Sequence, residues 1–326
     1  MKKIILSLIL IFSFTTPTLA NASMPAFWNT GSGQSLAIFE KENQAQKESS
    51  DNIEMQSEKV TVMLYQGFSV IKGEYYMYNS SDKEIETIVG YPNNKVFKNE
   101  KVKNIVIGDV HKLKVFLDQK EVNLISRKDE LYKNWFVWKS KFKPKRITKI
   151  EVYFLTDNHN AKISEGYDRS NSNGFTYILE SGKVWKDKIK EGNIYIKLME
   201  DVDIDDILGV YPEKLQYDKE NKLIIYSFKN LEPSSENNII IRYKKTNNEF
   251  DFEKIKEKSE NYFKDIKDLN LSKKGNLENL EKNDFKIPFT STVGFYLFVF
   301  LMGFVGVFFI LLYFFIKLLL NKLKKA

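Results

Sequence analysis

The chain has 326 residues, of which 50 are Lys or Arg, 43 are Asp or Glu and none is Cys, and its formal net charge is +7. The lack of cysteine excludes disulfides, thiolate catalysis and cysteine-ligated metals, and in an exported chain it favours a bacterial origin. Six of the seven excess charges are lysines at the two ends of the chain, so we expect no nucleic-acid partner.

Residues 1–22 have the pattern of a secretory signal peptide. Lys2 and Lys3 form a short basic start, residues 4–14 are apolar, and small residues around Ala20 and Ala22 offer two cleavage sites. The alternative is an uncleaved N-terminal anchor, which would also export the middle of the chain. Residues 23–54, which contain a long polar run, are interpreted as an irregular N-terminal segment.

The region from residue 55 to residue 248 is predicted to be mainly β. Short runs rich in Val, Ile, Tyr and Phe recur along it, bounded by clusters of Gly, Asn, Asp and Lys. We expect one or two antiparallel β-sandwich-like modules. The number of runs favours two, with module 1 over residues 55–128 and module 2 over residues 129–248.

The segment from residue 135 to residue 146 contains the best candidate for a binding surface. As a strand it sends alternate side chains to opposite faces. Phe136, Trp138, Ser140 and Phe142 form a core-like face, and the other face carries Trp135, Val137, Lys139, Lys141 and Lys143, with Lys145 following. We call the four lysines of this second face (139, 141, 143 and 145) the lysine ladder.

The lysine ladder has two interpretations. It predicts binding of an anionic envelope polymer or of lipid headgroups, with Trp135 as a platform for a sugar ring. Alternatively, the lysines protect an exposed sheet edge from pairing with another chain.

Patterns for catalysis or metal binding are weak. His111 and His159 are the only histidines, and both lie in turn-like sequence, so we expect loop residues rather than a general base. The acidic run at residues 200–206 fails the EF-hand pattern and is interpreted as a solvated turn, although a different calcium loop stays open there and at residues 168–174. We predict no catalytic residue, no metal and no cofactor.

Three short segments carry a resemblance to known proteins. They are Val-Gly-Tyr-Pro at residues 89–92, a segment with Ser-Gly-x-x-Trp at residues 177–185, and one ending in Asn-Leu-Glu-Pro at residues 228–233. Together they resemble secreted β-rich bacterial proteins classed as domains of unknown function, over about residues 55–245. The resemblance implies a β-rich exported fold, with Gly182 at a turn and Trp185 in the core, and it implies no catalytic residues.

Residues 249–270 are predicted to form an amphipathic helix. Apolar residues recur at three- and four-residue steps, and pairs of opposite charge are spaced four residues apart between them. The helix either packs on the sheets or a partner, or lies on the membrane surface. Residues 271–286 then predict a polar tether.

Residues 287–316 contain no Asp, Glu, Lys, Arg or His, and they predict a transmembrane helix. Its core runs from Val293 to Ile316 through Phe300 and Phe308, which is long enough to cross the hydrocarbon layer. The lysines that follow, beginning with Lys317 and Lys322, mark residues 317–326 as a cytoplasmic tail. The expected topology is a type I single-pass protein of the cell membrane with an extracellular N-terminal domain.

These features favour a bacterial surface protein whose β-rich domain works without catalysis, in binding, in adhesion or as a scaffold of an envelope complex. The expected partners are the membrane, an anionic envelope polymer and another membrane protein. The alternative is a membrane-anchored envelope hydrolase that acts on glycans through carboxylates that the sequence does not identify.

Overall fold

The structure, a computed structural model, describes only part of the chain. The described residues are 37–38, 51–92, 102, 104–106, 109–125, 135–159, 161–164, 172–180, 182, 185–199, 201–246, 249–271, 275–283, 285, 298–304, 313–314 and 317. The predicted signal peptide, most of the predicted irregular segment, and the anchor residues Val293, Phe308, Ile316 and Lys322 lie outside them.

The described residues are mainly β, with few helices, as predicted. The α-helices are α1 (Phe252–Glu257) and α2 (Ser259–Asp268), and short 3-10 helices cover Ile204–Asp206 and Ser235–Asn237. The strands are β1 (Ala37–Ile38), β2 (Ile53–Tyr65), β3 (Phe68–Asn79), β4 (Ile85–Pro92), β5 (Asn104–Val106), β6 (Val110–Leu117), β7 (Lys120–Val122), β8 (Trp135–Phe142), β9 (Ile147–Asp157), β10 (Lys162–Ser164), β11 (Asn173–Tyr177), β12 (Ile189–Leu198), β13 (Ile207–Tyr211), β14 (Gln216–Asp218), β15 (Leu223–Leu231), β16 (Ile239–Tyr243) and β17 (Leu277–Asn279).

A nine-stranded mixed sheet forms the centre of the fold, in the order β17-β14-β15-β12-β2-β3-β9-β6-β7. Its pairs are antiparallel except β12 with β2, which run parallel. The prediction of antiparallel modules is wrong at this pair. A parallel pair needs a long crossover connection. More than a hundred residues separate β2 from β12, and this connection is long enough for the two strands to pair in parallel as well as antiparallel.

Three small sheets complete the described β structure, in the orders β1-β4-β8, β10-β5 and β11-β16-β13. The nine-stranded sheet draws β2, β3, β6 and β7 from before residues 126–133 and its other strands from after them. Strands from both predicted modules, residues 55–128 and 129–248, thus belong to this one sheet.

The main core joins the inner face of the nine-stranded sheet to strands of the small sheets. Alternation along β2 directs Val60, Val62 and Leu64 into it, and β8 adds Trp138 and Phe142. Trp185 is also buried there, with its ring edge-on to Phe142, which confirms the expectation that it fills the core.

The outer face of the same sheet is covered in part by the predicted amphipathic segment. The segment forms two helices rather than one, divided at Lys258. Asp251 caps α1 by accepting hydrogen bonds from the backbone amides of Glu253 and Lys254. Phe263 and Ile266 of α2 are buried against the sheet, so the apolar face of α2 is already covered by protein.

Part of the predicted tether belongs to the folded domain. β17 pairs with β14 at the edge of the large sheet, and Leu280 and Phe285 are buried. The amide of Leu280 donates to the carbonyl of Leu215 at 2.9 Å. Residues 277–283 and Phe285 are therefore held on the domain by backbone hydrogen bonds and two apolar side chains.

Residues 298–304 and 313–314, together with Lys317, are helical. Within the part of the chain that the structure describes, no helix has both the length and the apolar character needed to cross a membrane.

Candidate functional site

The lysine ladder lies at the edge of a small sheet. β8 is the last strand of the order β1-β4-β8, and Lys139 and Lys141 are exposed while Trp138, Ser140 and Phe142 are buried, as the alternation predicted. Val137 was predicted on the same face as the lysines, but its side chain is fully buried. Its carbonyl accepts a 2.7 Å hydrogen bond from the amide of Ile125. Trp135 begins β8, and its side chain lies outside the described residues.

Two acidic residues neutralise part of the ladder. Glu86 lies opposite Lys141 on β4, and its carboxylate is 3.0 Å from Lys141 Nζ and 3.9 Å from Lys139 Nζ. The hydrogen bond from Lys141 and its charge hold the pKa of Glu86 below its usual range. Lys145 turns away from the strand, with a φ of 53°, and its Nζ lies 3.3 Å from Asp82.

A second polar surface, which we call the ion quartet, lies on the outer face of the nine-stranded sheet. It consists of Lys72 and Glu74 on β3 and Lys149 and Glu151 on β9, and the two glutamates are cross-strand partners. Lys149 Nζ lies 2.7 Å from Glu74 and 3.2 Å from Glu151. Lys72 Nζ lies 3.3 Å from Glu74 and 3.9 Å from Glu151.

The lysines of the ion quartet determine its charge state. Burial raises the pKa of Glu74, but the hydrogen bond from Lys149 and the charge of Lys72 outweigh it, and the net pKa is lowered. Burial lowers the pKa of Lys149, and the two glutamates outweigh it in the opposite direction. Glu74 and Lys149 therefore stay ionised together.

Sequence reasoning missed the ion quartet. A local signal was present, because a lysine and a glutamate are spaced two residues apart on both strands and so face the same side. Their meeting depends on the register of β3 with β9, which alternation within one strand does not specify.

Helix α2 lies beside the ion quartet and creates two hollows on the outer face of the sheet. The β6–α2 hollow has a volume of about 590 Å³, and its lining includes Lys114, Glu151, Tyr153, Phe263, Lys264 and Lys267. A second hollow of about 530 Å³ is lined by residues that include Lys59, Lys72, Tyr195 and, again, Lys267.

A buried acid lies on the opposite, inner face of the same sheet. Oε1 of Glu58 accepts a short hydrogen bond from the hydroxyl of Tyr177, whose oxygen is 3.2 Å from that of Tyr75. Oε2 of Glu58 has no hydrogen-bond partner among the described residues. Burial raises the pKa of Glu58 to about 7, although the Tyr177 hydrogen bond acts in the opposite direction. Glu58 lines neither of the two hollows, so its position favours a structural role.

The two histidines lie beneath the aromatic residues that precede and begin α1. His159 is in a turn, as expected, and its ring stacks on Phe250 with centroids 4.5 Å apart. His111 lies within β6 rather than in a loop, and its ring is 4.9 Å from that of Phe252. Burial lowers the pKa of both histidines, and neighbouring lysines add to the effect.

Residues 201–206 of the acidic run form a turn that leads into the 3-10 helix Ile204–Asp206. Asp203 accepts a hydrogen bond from the amide of Ile204, and Asp206 accepts one from the amide of Asp203. Asp201 accepts one from the amide of Gln66. These carboxylates are engaged in capping backbone groups. Most of the other candidate calcium loop, residues 168–174, lies outside the described residues.

Comparison with known proteins assigns no family to the chain. No family model matches it, and no curated protein matches it. Among solved structures, a Legionella pneumophila protein assigned provisionally to nutrient binding has 16% identity and a TM-score of 0.44, over 65% of this chain and 70% of its own. A variant of the M1 zinc metallopeptidase from Deinococcus radiodurans has 6% identity and a TM-score of 0.30, over 59% of this chain and 42% of its own. Both scores are too low to define a shared fold family or function.

Proposed function

We propose that the chain is a single-pass bacterial surface protein whose β-rich domain binds a partner and does not catalyse a reaction. The anchor proposal rests on residues 298–304, which are helical and contain no polar side chain. Phe298, Phe300 and Phe304 are 60%, 63% and 66% exposed. An exposed apolar helix is unfavourable in water and suits a hydrocarbon environment.

The sequence around this helix supports the same topology. Residues 287–316 contain no Asp, Glu, Lys, Arg or His, and lysines follow from Lys317 onwards. This arrangement is typical of a membrane span with a cytoplasmic C-terminus, and a signal peptide at residues 1–22 would export the domain.

Protease treatment of intact cells tests the topology. An epitope placed after Ala326 should stay protected until the cells are lysed, whereas the domain at residues 51–285 should be digested from outside. Protection of the domain in intact cells would refute the proposed orientation.

The binding proposal rests on the lysine ladder. Lys139, Lys141 and Lys143 are exposed along one edge, and Glu86 compensates only part of their charge. An anionic envelope polymer has the complementary charge, and another membrane protein with an acidic surface is the alternative partner. Protection of the sheet edge remains the competing role of the same lysines.

Co-sedimentation with insoluble cell-wall fragments distinguishes the two roles. Full-length protein in detergent should sediment with the fragments, and reversal of Lys139, Lys141 and Lys143 to Glu should reduce the bound fraction several-fold. The control reverses three exposed lysines elsewhere, Lys188, Lys219 and Lys229, and should bind as the native protein does. Equal binding by both triple variants would refute a role for the ladder.

The alternative of an envelope hydrolase receives less support. A glycosidase needs two facing carboxyl groups, one of them protonated. Glu74 and Glu151 face each other across β3 and β9, but both are ion-paired to the same two lysines, and the pKa of Glu74 is lowered. Release of reducing sugars from cell-wall glycan by the purified protein would revive this alternative.

A further inference from the structure

The β6–α2 hollow differs in charge from the rest of the exported chain. Outside the lysines at its two ends, the chain is almost neutral, with a net charge of about +1. Six charged residues line the hollow, and four of them are lysines: Lys114, Lys149, Lys264 and Lys267, against Glu151 and Glu260. The lining of the hollow therefore has two more lysines than glutamates.

Both glutamates of the hollow are already paired. Glu260 is 2.8 Å from Lys114 Nζ, and Glu151 is 3.2 Å from Lys149 Nζ. Lys264 and Lys267 are exposed and form no ion pair within the described part of the chain. They lie one turn apart on α2, so both ammonium groups are available to a single anionic group.

The floor of the hollow is aromatic. Phe116 and Tyr153 meet edge to face with ring centroids 5.7 Å apart, and Tyr153 lies 5.9 Å from Phe263. Burial raises the pKa of Tyr153 to about 12, and the nearby glutamates add to the effect, so its hydroxyl stays protonated and able to donate. Aromatic rings bind the apolar faces of small cyclic ligands, and a volume of about 590 Å³ is typical of a small-molecule site.

We propose that the β6–α2 hollow binds a phosphorylated sugar. Lys264 and Lys267 hold the phosphate, and the aromatic floor formed by Phe116, Tyr153 and Phe263 carries the sugar ring. Ammonium groups bind phosphate by charge-assisted hydrogen bonds. The site is separate from the lysine ladder, which lies on β8 and just after it in another sheet, so this proposal does not depend on the proposed cell-wall contact.

Calorimetric titration of full-length protein in detergent tests the site with three probes, inorganic phosphate, a hexose and a hexose monophosphate. The hexose monophosphate should bind about tenfold more tightly than either of the other two. Its affinity should fall as salt is added, because exposed charges are screened. Undetectable binding of the hexose monophosphate would overturn the proposal, and equal binding of inorganic phosphate would overturn the role of the aromatic floor.

Variants assign the two halves of the site. Lys264→Gln with Lys267→Gln should lower affinity for the hexose monophosphate about tenfold or more. The matched control, Lys254→Gln with Lys258→Gln, removes two exposed lysines from the same helical segment outside the hollow and should have no effect. Phe116→Ala should weaken hexose monophosphate binding and leave phosphate binding unchanged. An equal loss in the control pair would refute binding at the hollow.

Discussion

The hydroxyl of Tyr177 donates a hydrogen bond to Oε1 of Glu58 in the interior of the protein, where both side chains are buried. Glu58 comes from β2 of the nine-stranded sheet and Tyr177 from β11 of a small sheet. The contact between the two sheets thus includes a group that can gain or lose a proton.

Glu58 should make the stability of the domain depend on pH. Burial raises its pKa from 4.5 to about 7, so the folded state holds the proton more tightly than the unfolded state. This stabilisation is complete below about pH 4.5 and is lost as the pH rises through about 7. We expect it to change the free energy of unfolding by roughly 3 kcal/mol across that window. Urea denaturation at a series of pH values measures the change.

Glu58→Gln isolates this contribution, because the amide cannot ionise and still accepts the hydrogen bond from Tyr177. The fall in stability between about pH 5 and about pH 7 should be much smaller in this variant. Glu121→Gln, at an exposed position on β7, should retain the native slope. A native slope in the Glu58 variant would show that this carboxyl is not the group that titrates.

Gly192 should be intolerant of a side chain. Gly192 lies in β12, opposite Glu58 of β2 on one side and Phe228 of β15 on the other. The ring of Phe228 occupies the space that a Cβ on residue 192 would need. Gly192→Ala should lower the free energy of unfolding by about 1–3 kcal/mol because the ring must shift. In the Phe228→Ala background the same change should cost much less. Additive effects in this double-mutant cycle would contradict the steric explanation.

Removal of Glu86 should strengthen binding by the lysine ladder. Its carboxylate is shared by Lys139 and Lys141, so Glu86→Gln adds one net positive charge at the exposed edge. Co-sedimentation with cell-wall fragments should increase at low salt, and the gain should disappear at about 1 M salt. Glu236→Gln, exposed in a 3-10 helix, is the control. An unchanged bound fraction for the Glu86 variant would argue for edge protection instead.

Residues 277–285 should be released when their buried side chains are removed. Leu280→Ala with Phe285→Ala deletes both apolar contacts that hold the segment, in addition to its backbone hydrogen bonds. Trypsin should then cut at Lys282 several-fold faster while the rest of the domain stays intact. Leu277→Ala, at a partly exposed position of β17, should cleave at the native rate. Equal rates for all three proteins would mean that the segment is held by other contacts.

The sequence predicts features that depend on near neighbours. Alternation within β8 places Trp138 inside and Lys139 outside, and the helical period of residues 249–270 predicts a helix there, although not its division into α1 and α2. It does not predict which strands pair, so the parallel pair of β2 with β12 and the meeting of Glu74 with Glu151 were missed. The burial of Leu280 and Phe285 was also missed. Two apolar residues five positions apart fit neither the helical repeat nor the alternation of a strand, so the sequence pattern does not reveal that they are buried.

The burial of Phe285 has a consequence for where the domain can work. The apolar segment begins at Ile287, and one residue extends the chain by at most about 3.6 Å. The connection to the proposed span would therefore be under about 10 Å long, or about 30 Å if the span begins at Val293. A connecting segment this short would keep the domain beside the lipid headgroups. The domain would then meet its ligands by diffusing within the plane of the membrane.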